Sequence, residues 1–164
     1  MPLSATQQPE LLPVSEGLRL RAYDGRPEVA LGWYQDPATL MLVDGKEEPY
    51  DLDHVRAMYD WLSARGELYW IEARGDDGAW RPVGDVTLCE DDLPIVVGEP
   101  ALRAHGIGRR VVAALVARAR QLGWHEVRVE EIYDWNEGSR RCFASQGFVT
   151  CGRTGRGDAF VCRL

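Results

Sequence analysis

The residues best suited to chemistry lie in Arg103-Ala104-His105-Gly106-Ile107-Gly108. Gly106 and Gly108 carry no Cβ, so a ligand can approach the main chain closely there. An apolar, β-branched run from Leu93 to Gly98 precedes the segment. A helical pattern from Arg109 to Leu122, stopped by Gly123, follows it. Strand, glycine turn and helix together leave free N–H groups and the positive end of a helix dipole at the turn. That is an anion grip, and Arg103 adds a charged fork suited to phosphate. Two nucleotide motifs do not fit. A Walker-type loop needs Gly-Lys-Ser/Thr after its second glycine, where this chain has Arg109-Arg110. The dinucleotide fingerprint needs a third glycine, which is missing.

A second constellation is acidic. Val127, Val129 and Glu131 fall on one face of a β pattern, so Glu131 interrupts an apolar row. Glu130 and Asp134 flank it, and Glu90-Asp91-Asp92 makes an acidic turn into the strand Leu93 to Gly98. The cysteines, Cys89, Cys142, Cys151 and Cys162, show no paired short spacing. Neither a metal site nor a disulfide framework is expected, and reduced thiols in a cytoplasmic protein are.

The elements that must position these groups follow from periodicity. Leu18 to Tyr23 alternates apolar and basic residues as a half-buried strand does. Pro27 to Tyr34 reads as a short helix ending before Asp36-Pro37, and Leu40 to Tyr50 reads as loop. A helix is expected from Leu52 to Ala64, with Val55, Met58, Tyr59 and Leu62 on one face and Gly66 ending it. Leu68 to Ala73 and Pro82 to Cys89 form a hairpin about Gly75-Asp76-Asp77-Gly78. The helix after the glycines turns Ile107, Val111, Leu115 and Ala119 inward. Val127 to Ile132 is a strand, and Asn136 to Gln146 a short helix closed by Gly147. Phe148 to Gly152 and Ala159 to Leu164 form a last hairpin, whose turn accounts for Arg156-Gly157-Asp158, a tripeptide that resembles an adhesion signal. The order describes a mixed α/β (α+β) domain with a largely antiparallel front half. Residues 1–13 are expected to be a flexible lead-in, without the basic start and apolar stretch of a signal peptide, and 14–164 a single domain.

The 164 residues carry a formal net charge of -7, and the sequence pI is near 5.0. An acidic chain argues against nucleic acid as a partner and permits a cationic substrate. No apolar run is long enough to span a membrane.

The segment Val96-Val97-Gly98-Glu99-Pro100-Ala101-Leu102-Arg103-Ala104-His105-Gly106-Ile107-Gly108 resembles motif A of the GCN5-related N-acetyltransferases. That motif is a strand followed by a proline three residues before Arg/Gln-x-x-Gly-x-Gly/Ala. A second segment matches independently. Asn136, Ser139, Phe143, Gly147 and Phe148 fall at the spacing of the family's Asn-x-x-Ala-x-x-x-Tyr-x-x-x-Gly-Phe element. The resemblance covers Tyr69 to the C-terminus well and the first third in outline. There, Trp33-Tyr34-Gln35-Asp36-Pro37 is similar to a Trp-Leu-x-Asp-Pro element of ribosomal-protein and aminoglycoside acetyltransferases.

The resemblance implies a mixed, mostly antiparallel central sheet flanked by about four helices, with strands splayed at the cofactor site. It implies acetyl-CoA as co-substrate and no metal. The CoA pyrophosphate would rest on the amides of Arg103, Ala104, His105, Gly106, Ile107 and Gly108. The pantetheine arm would run beside Val96, Val97 and Gly98, and an N–H near Val97 or Gly98 would polarise the thioester carbonyl. Asn136 would hydrogen-bond that arm, cap the following helix, or both. Arg109, Arg110, Arg140 and Arg141 are candidates for the outer phosphates. The acceptor would be an amine of a small molecule or peptide. Glu131 is the first candidate base, at a place where aminoglycoside acetyltransferases carry a catalytic acid, with Glu130, Asp134 and the acidic turn as alternatives. Trp33, Tyr34, Trp61, Tyr133, Trp135 and Phe160 would wall the acceptor pocket. Many members are homodimers, a state that these residues do not decide. The family's frequent general acid is a tyrosine where this chain has Phe143. Water, Cys142 or Tyr133 must then protonate the leaving group, or the chain is a catalytically weak CoA-binding sensor.

Overall fold

The computed structural model describes residues 7–164. Strand β1 (Leu11–Ser15) pairs antiparallel with β2 (Leu18–Ala22). The expected lead-in is therefore shorter than 13 residues, its first six lying outside the described residues. Pro13 masks the strand in the sequence. It is tolerated because β1 is the outermost strand, where a missing N–H breaks no inner ladder. Leu18 and Leu20 of β2 are buried, whereas Arg19 and Arg21 both reach Glu72, at 2.8 and 2.9 Å.

The sheet continues through β3 (Gly66–Arg74), β4 (Trp80–Cys89) and β5 (Ile95–Val97) in the order β1-β2-β3-β4-β5. A second sheet holds β6 (Glu126–Tyr133), β7 (Val149–Arg153) and β8 (Gly157–Arg163) in the order β6-β8-β7. All pairings are antiparallel. No ladder joins β5 to β6, so the sheet structure opens between them. Among the described residues, four α-helices complete a mixed α/β fold: α1 (Pro37–Val43), α2 (Leu52–Arg65), α3 (Ile107–Gln121) and α4 (Glu137–Ser145). Ile107, Val111, Val112, Leu115 and Ala119 bury one face of α3 against the strands. Each large aliphatic side chain buried this way contributes about 1.5–3 kcal/mol. None of the helices among the described residues is long and apolar enough to cross a membrane.

Two further expectations fail in the first third. Residues 27–34 are not one helix but parts of two 3-10 turns, Pro27–Ala30 and Trp33–Gln35. Residues 40–43, expected as loop, belong to α1. Asp36 caps that helix by accepting from the Thr39 N–H at 3.2 Å and the Thr39 hydroxyl at 2.8 Å, with Pro37 in the first turn.

Between these helices and the sheet lies a second core of Trp33, Tyr34, Leu40, Tyr59 and Trp70. It encloses Asp85, which is 1% exposed. The hydroxyls of Tyr34 and Tyr59 both donate to its Oδ2 at 2.7 Å. Burial pushes this carboxyl up from 3.8 to about 6. The folded chain thus holds a proton that the unfolded chain releases earlier. The stability gained is full below the unfolded value and is lost as pH rises through about 6. At about 1.36 kcal/mol per unit, the loss is about 3 kcal/mol. In urea unfolding between about pH 4 and pH 7, Asp85→Asn should therefore lose less stability than the parent chain.

Candidate functional site

The site is built where β5 leaves β4. The Gly98 N–H donates to the Val83 carbonyl at 2.8 Å, and the Thr87 N–H to the Pro94 carbonyl at 3.0 Å. In an antiparallel ladder bonded at residues 94 and 98, the main-chain groups of Ile95 and Val97 face away from β4, toward the opening. Gly98 is thereby removed as a donor to a ligand, which leaves Val97. Val96 belongs to the β4 ladder. Gly98 instead makes room for a neighbour: a methyl built on it would enter the indole ring of Trp33.

Beyond β5 comes the glycine loop. Ala104 and Gly106 both hold left-handed backbone, with φ of 64° and 77°. Such alternation gathers successive N–H groups on one side of a turn. Arg110 occupies the carbonyl side, its guanidinium donating to Gly106 O at 3.2 Å and His105 O at 3.3 Å. No side chain among the described residues caps the start of α3, so the amides of Ile107 and Gly108 are left for an anion. Arg103 does not face that side. Its Nε donates to the Val97 carbonyl at 3.1 Å and its Nη2 to the Thr39 hydroxyl at 2.5 Å, tying the loop to α1. Among the other arginines, Arg140 is held by Asp158 and the Ile132 carbonyl. Arg109 and Arg141 remain exposed beside the loop and α4.

A cavity of about 500 Å³ separates β5 from β6. Leu42 and Val43 of α1 close one side, and Tyr133 and Thr154 another. Asp92, Glu130 and Glu131 also line it, and no lysine, arginine or histidine among the described residues does. Glu131 does not continue the row of Val127 and Val129. The β6–β8 register slips between Val129 and Ile132, and Ile132 takes the inward position. The freed carboxylate of Glu131 accepts from the Thr154 hydroxyl at 2.5 Å and the Arg156 N–H at 3.0 Å. These bonds hold its carboxyl below the usual range, so it is ionised at neutral pH.

Asp92 has the opposite environment. Its Oδ1 accepts from the N–H groups of Leu93 and Glu130, each at 2.9 Å, yet burial pushes its carboxyl up. Of the other sequence candidates, Glu90 and Asp91 line a different cavity with Arg65 and Trp124. Asp134 is bound by Arg153 at 2.8 and 3.0 Å.

Asn136 caps α4, its Oδ1 accepting from the Ser139 N–H at 3.2 Å, and its Nδ2 donates to the Leu42 carbonyl at 3.2 Å. Trp135 donates to the Met41 carbonyl at 2.8 Å. The last carbonyls of α1 are thus satisfied from the β6–α4 connection, which holds α1 over the cavity. Phe143 is buried edge-on against Phe148. Cys142 packs toward Gly108, and burial pushes its thiol up to about 11. Tyr133 supplies a phenol to the cavity wall, its hydroxyl pushed up by burial, beside the aliphatic hydroxyls of Ser139 and Thr154. Most of the expected aromatic wall lies elsewhere. Trp33, Tyr34 and Phe160 are core residues, and Trp61 is 56% exposed under Arg65.

A family model described as the acetyltransferase (GNAT) family matches residues 31–148. Three solved structures illustrate the likeness in fold. A domain from Methanocaldococcus jannaschii superposes with a TM-score of 0.78 at 21% identity, covering 90% of this chain and 98% of that one. Spermidine N-acetyltransferase from Vibrio cholerae, solved with CoA and spermine, gives 0.70 at 17% identity, covering 91% and 96%. RimL, a ribosomal L7/L12 alpha-N-protein acetyltransferase, gives 0.75 at 14% identity, covering 94% of each chain. No curated protein matches the chain in sequence.

Proposed function

The chain belongs to the acetyltransferase (GNAT) family, and on that premise we propose that it transfers an acetyl group from acetyl-CoA to a cationic amine in the cleft between β5 and β6. One observation carries the choice of acceptor: Asp92, Glu130 and Glu131 line the cleft and no lysine, arginine or histidine among the described residues does, Arg156 standing at its edge over Tyr133. An ammonium group is stabilised there, and a carboxylate acceptor is repelled. Acetyl-CoA supplies an activated thioester: the amine nitrogen bonds to the acetyl carbon, the C–S bond breaks, and the thiolate leaves with a proton.

The residues divide the work by environment. The amides of the 104–108 loop hold the pyrophosphate, the Arg103 N–H being taken by the Pro100 carbonyl at 3.2 Å, and the outward N–H of Val97 polarises the acetyl carbonyl. Glu131, held ionised by Thr154 and Arg156, receives the ammonium and orients it. Asp92, its carboxyl pushed upward by burial, is the proton acceptor. The Tyr133 hydroxyl is available as the proton donor that Phe143 cannot be. This hydroxyl favours turnover over the reading of a CoA-binding sensor.

Acetyl-CoA should raise the melting temperature, whereas ATP or NAD should not. Glu131→Gln should lower kcat/KM for a cationic amine about tenfold, the worth of one charged hydrogen bond, while acetyl-CoA affinity stays within about twofold. Thermal shift and steady-state kinetics on the same preparation check both. An unchanged rate would remove Glu131 from the site.

A further inference from the structure

We propose that the acceptor pocket contains a separate cation subsite, occupied in the free protein by the guanidinium of Arg156. Acceptors that carry a second ammonium or guanidinium group displace Arg156 and bind there. The proposal rests on the reading of the cleft as an amine-acceptor site, and it names the class of amine.

Arg156 lies in the β7–β8 turn, opposite the connection between α1 and α2. Its guanidinium carbon stands 4.7 Å from the centre of the Tyr133 ring. Tyr133 is itself stacked on Trp135 at 4.7 Å. Nη1 donates to the Gly45 carbonyl and Nη2 to the Asp44 carbonyl, both at 3.4 Å. Nη2 also donates to the Tyr133 hydroxyl at 3.2 Å. The Glu131 carboxylate stands beside it, held by the Arg156 main chain rather than by its side chain. Gly45 leaves the space: a methyl there would collide with the guanidinium.

An aromatic face, two carbonyls and a neighbouring carboxylate recognise an organic cation of either kind. Nothing in the set is particular to arginine. The bonds are long, and among the described residues no carboxylate forks onto the guanidinium, the arrangement that would fix it in place. Arg156 is exposed to solvent, so it can leave. Tyr133 and Glu131 border both this subsite and the cavity. A bifunctional acceptor can therefore place its reacting amine in the cavity and its second cation over Tyr133. A monoamine reaches only the first. Because Arg156 competes for the subsite, the apparent affinity for bifunctional acceptors is reduced by the fraction of time that the subsite is free.

The test compares the parent chain with Arg156→Ala and with Arg156→Met, which keeps an apolar stem on Tyr133. The probes are agmatine, a primary amine and a guanidinium joined by a butyl chain, and n-butylamine, which lacks the second cation. The kcat/KM ratio of agmatine over n-butylamine should rise about tenfold in both variants, and agmatine titrated calorimetrically in the presence of CoA should bind tighter by a similar factor. A ratio and an agmatine affinity that stay unchanged or fall overturn the proposal. The calorimetric arm needs no turnover. A parent chain that acetylates neither amine refutes the transferase reading, while the agmatine titrations still decide the subsite.

Discussion

Gly98→Ala is expected to lower the free energy of unfolding by about 3 kcal/mol, the upper end of what one added methyl costs in a packed core. The added methyl would enter the five-membered ring of Trp33. The ring cannot step aside. It is 7% exposed, edge-on to Trp70 at 5.9 Å, and its indole N–H donates to Glu99 at 3.2 Å. The strand cannot yield cheaply either, because the N–H groups of Gly98 and Glu99 both donate to the Val83 carbonyl of β4, at 2.8 and 3.3 Å. Urea denaturation should show a lower midpoint at an unchanged slope. In a Trp33→Leu chain, which bears its own cost, Gly98→Ala should cost little more, since the two changes share one contact. A Gly98→Ala chain as stable as its parent would mean that Trp33 does not hold this strand end in place.

Gly106→Val is expected to weaken acetyl-CoA binding by about tenfold or more. Gly106 stands at the head of α3 with φ of 77°. A β-branched residue there meets about 1–2 kcal/mol of backbone strain and relieves it by turning the amides. Space is not the obstacle: an added Cβ meets only the Arg109 guanidinium, at 3.4 Å. The effect should therefore fall on ligand binding more than on folding. Calorimetric titration with acetyl-CoA reads the first, and urea denaturation the second. Equal losses in both would place the role of Gly106 in folding alone.

The strongest signals in the sequence were periodic or glycine-marked. The inward face of α3, the turn at Gly106 and Gly108 and the Asn136 cap of α4 each depend on residues a few positions apart, and each stands where its spacing puts it. What escaped depends on partners distant in the chain. Helix α1 has seven residues, too few for a period, and only Asp36-Pro37 and Gly45 mark its ends. The direction of Glu131 follows from a register slip against β8, which alternation within β6 does not contain. The choice of Val97 over Gly98 as the free donor follows from the ladder that β5 makes with β4. Trp33 and Tyr34 look like pocket walls by type, but the Tyr34 hydroxyl is consumed by buried Asp85 and the Trp33 indole N–H by Glu99. Arg103 and Arg156 are both legible as cations. Their partners, Thr39 in one case and Tyr133 with the 44–45 carbonyls in the other, come together only in the folded chain.

Acetyl transfer in the β5–β6 cleft is tested most directly by the release of free CoA from acetyl-CoA, followed with a thiol reagent across cationic, neutral and anionic acceptors of similar size. Release should depend on an added amine, run fastest with cationic amines, and be absent with acids. Acetyl-CoA that binds without amine-dependent release, or release fastest with an anionic acceptor, would contradict the assignment.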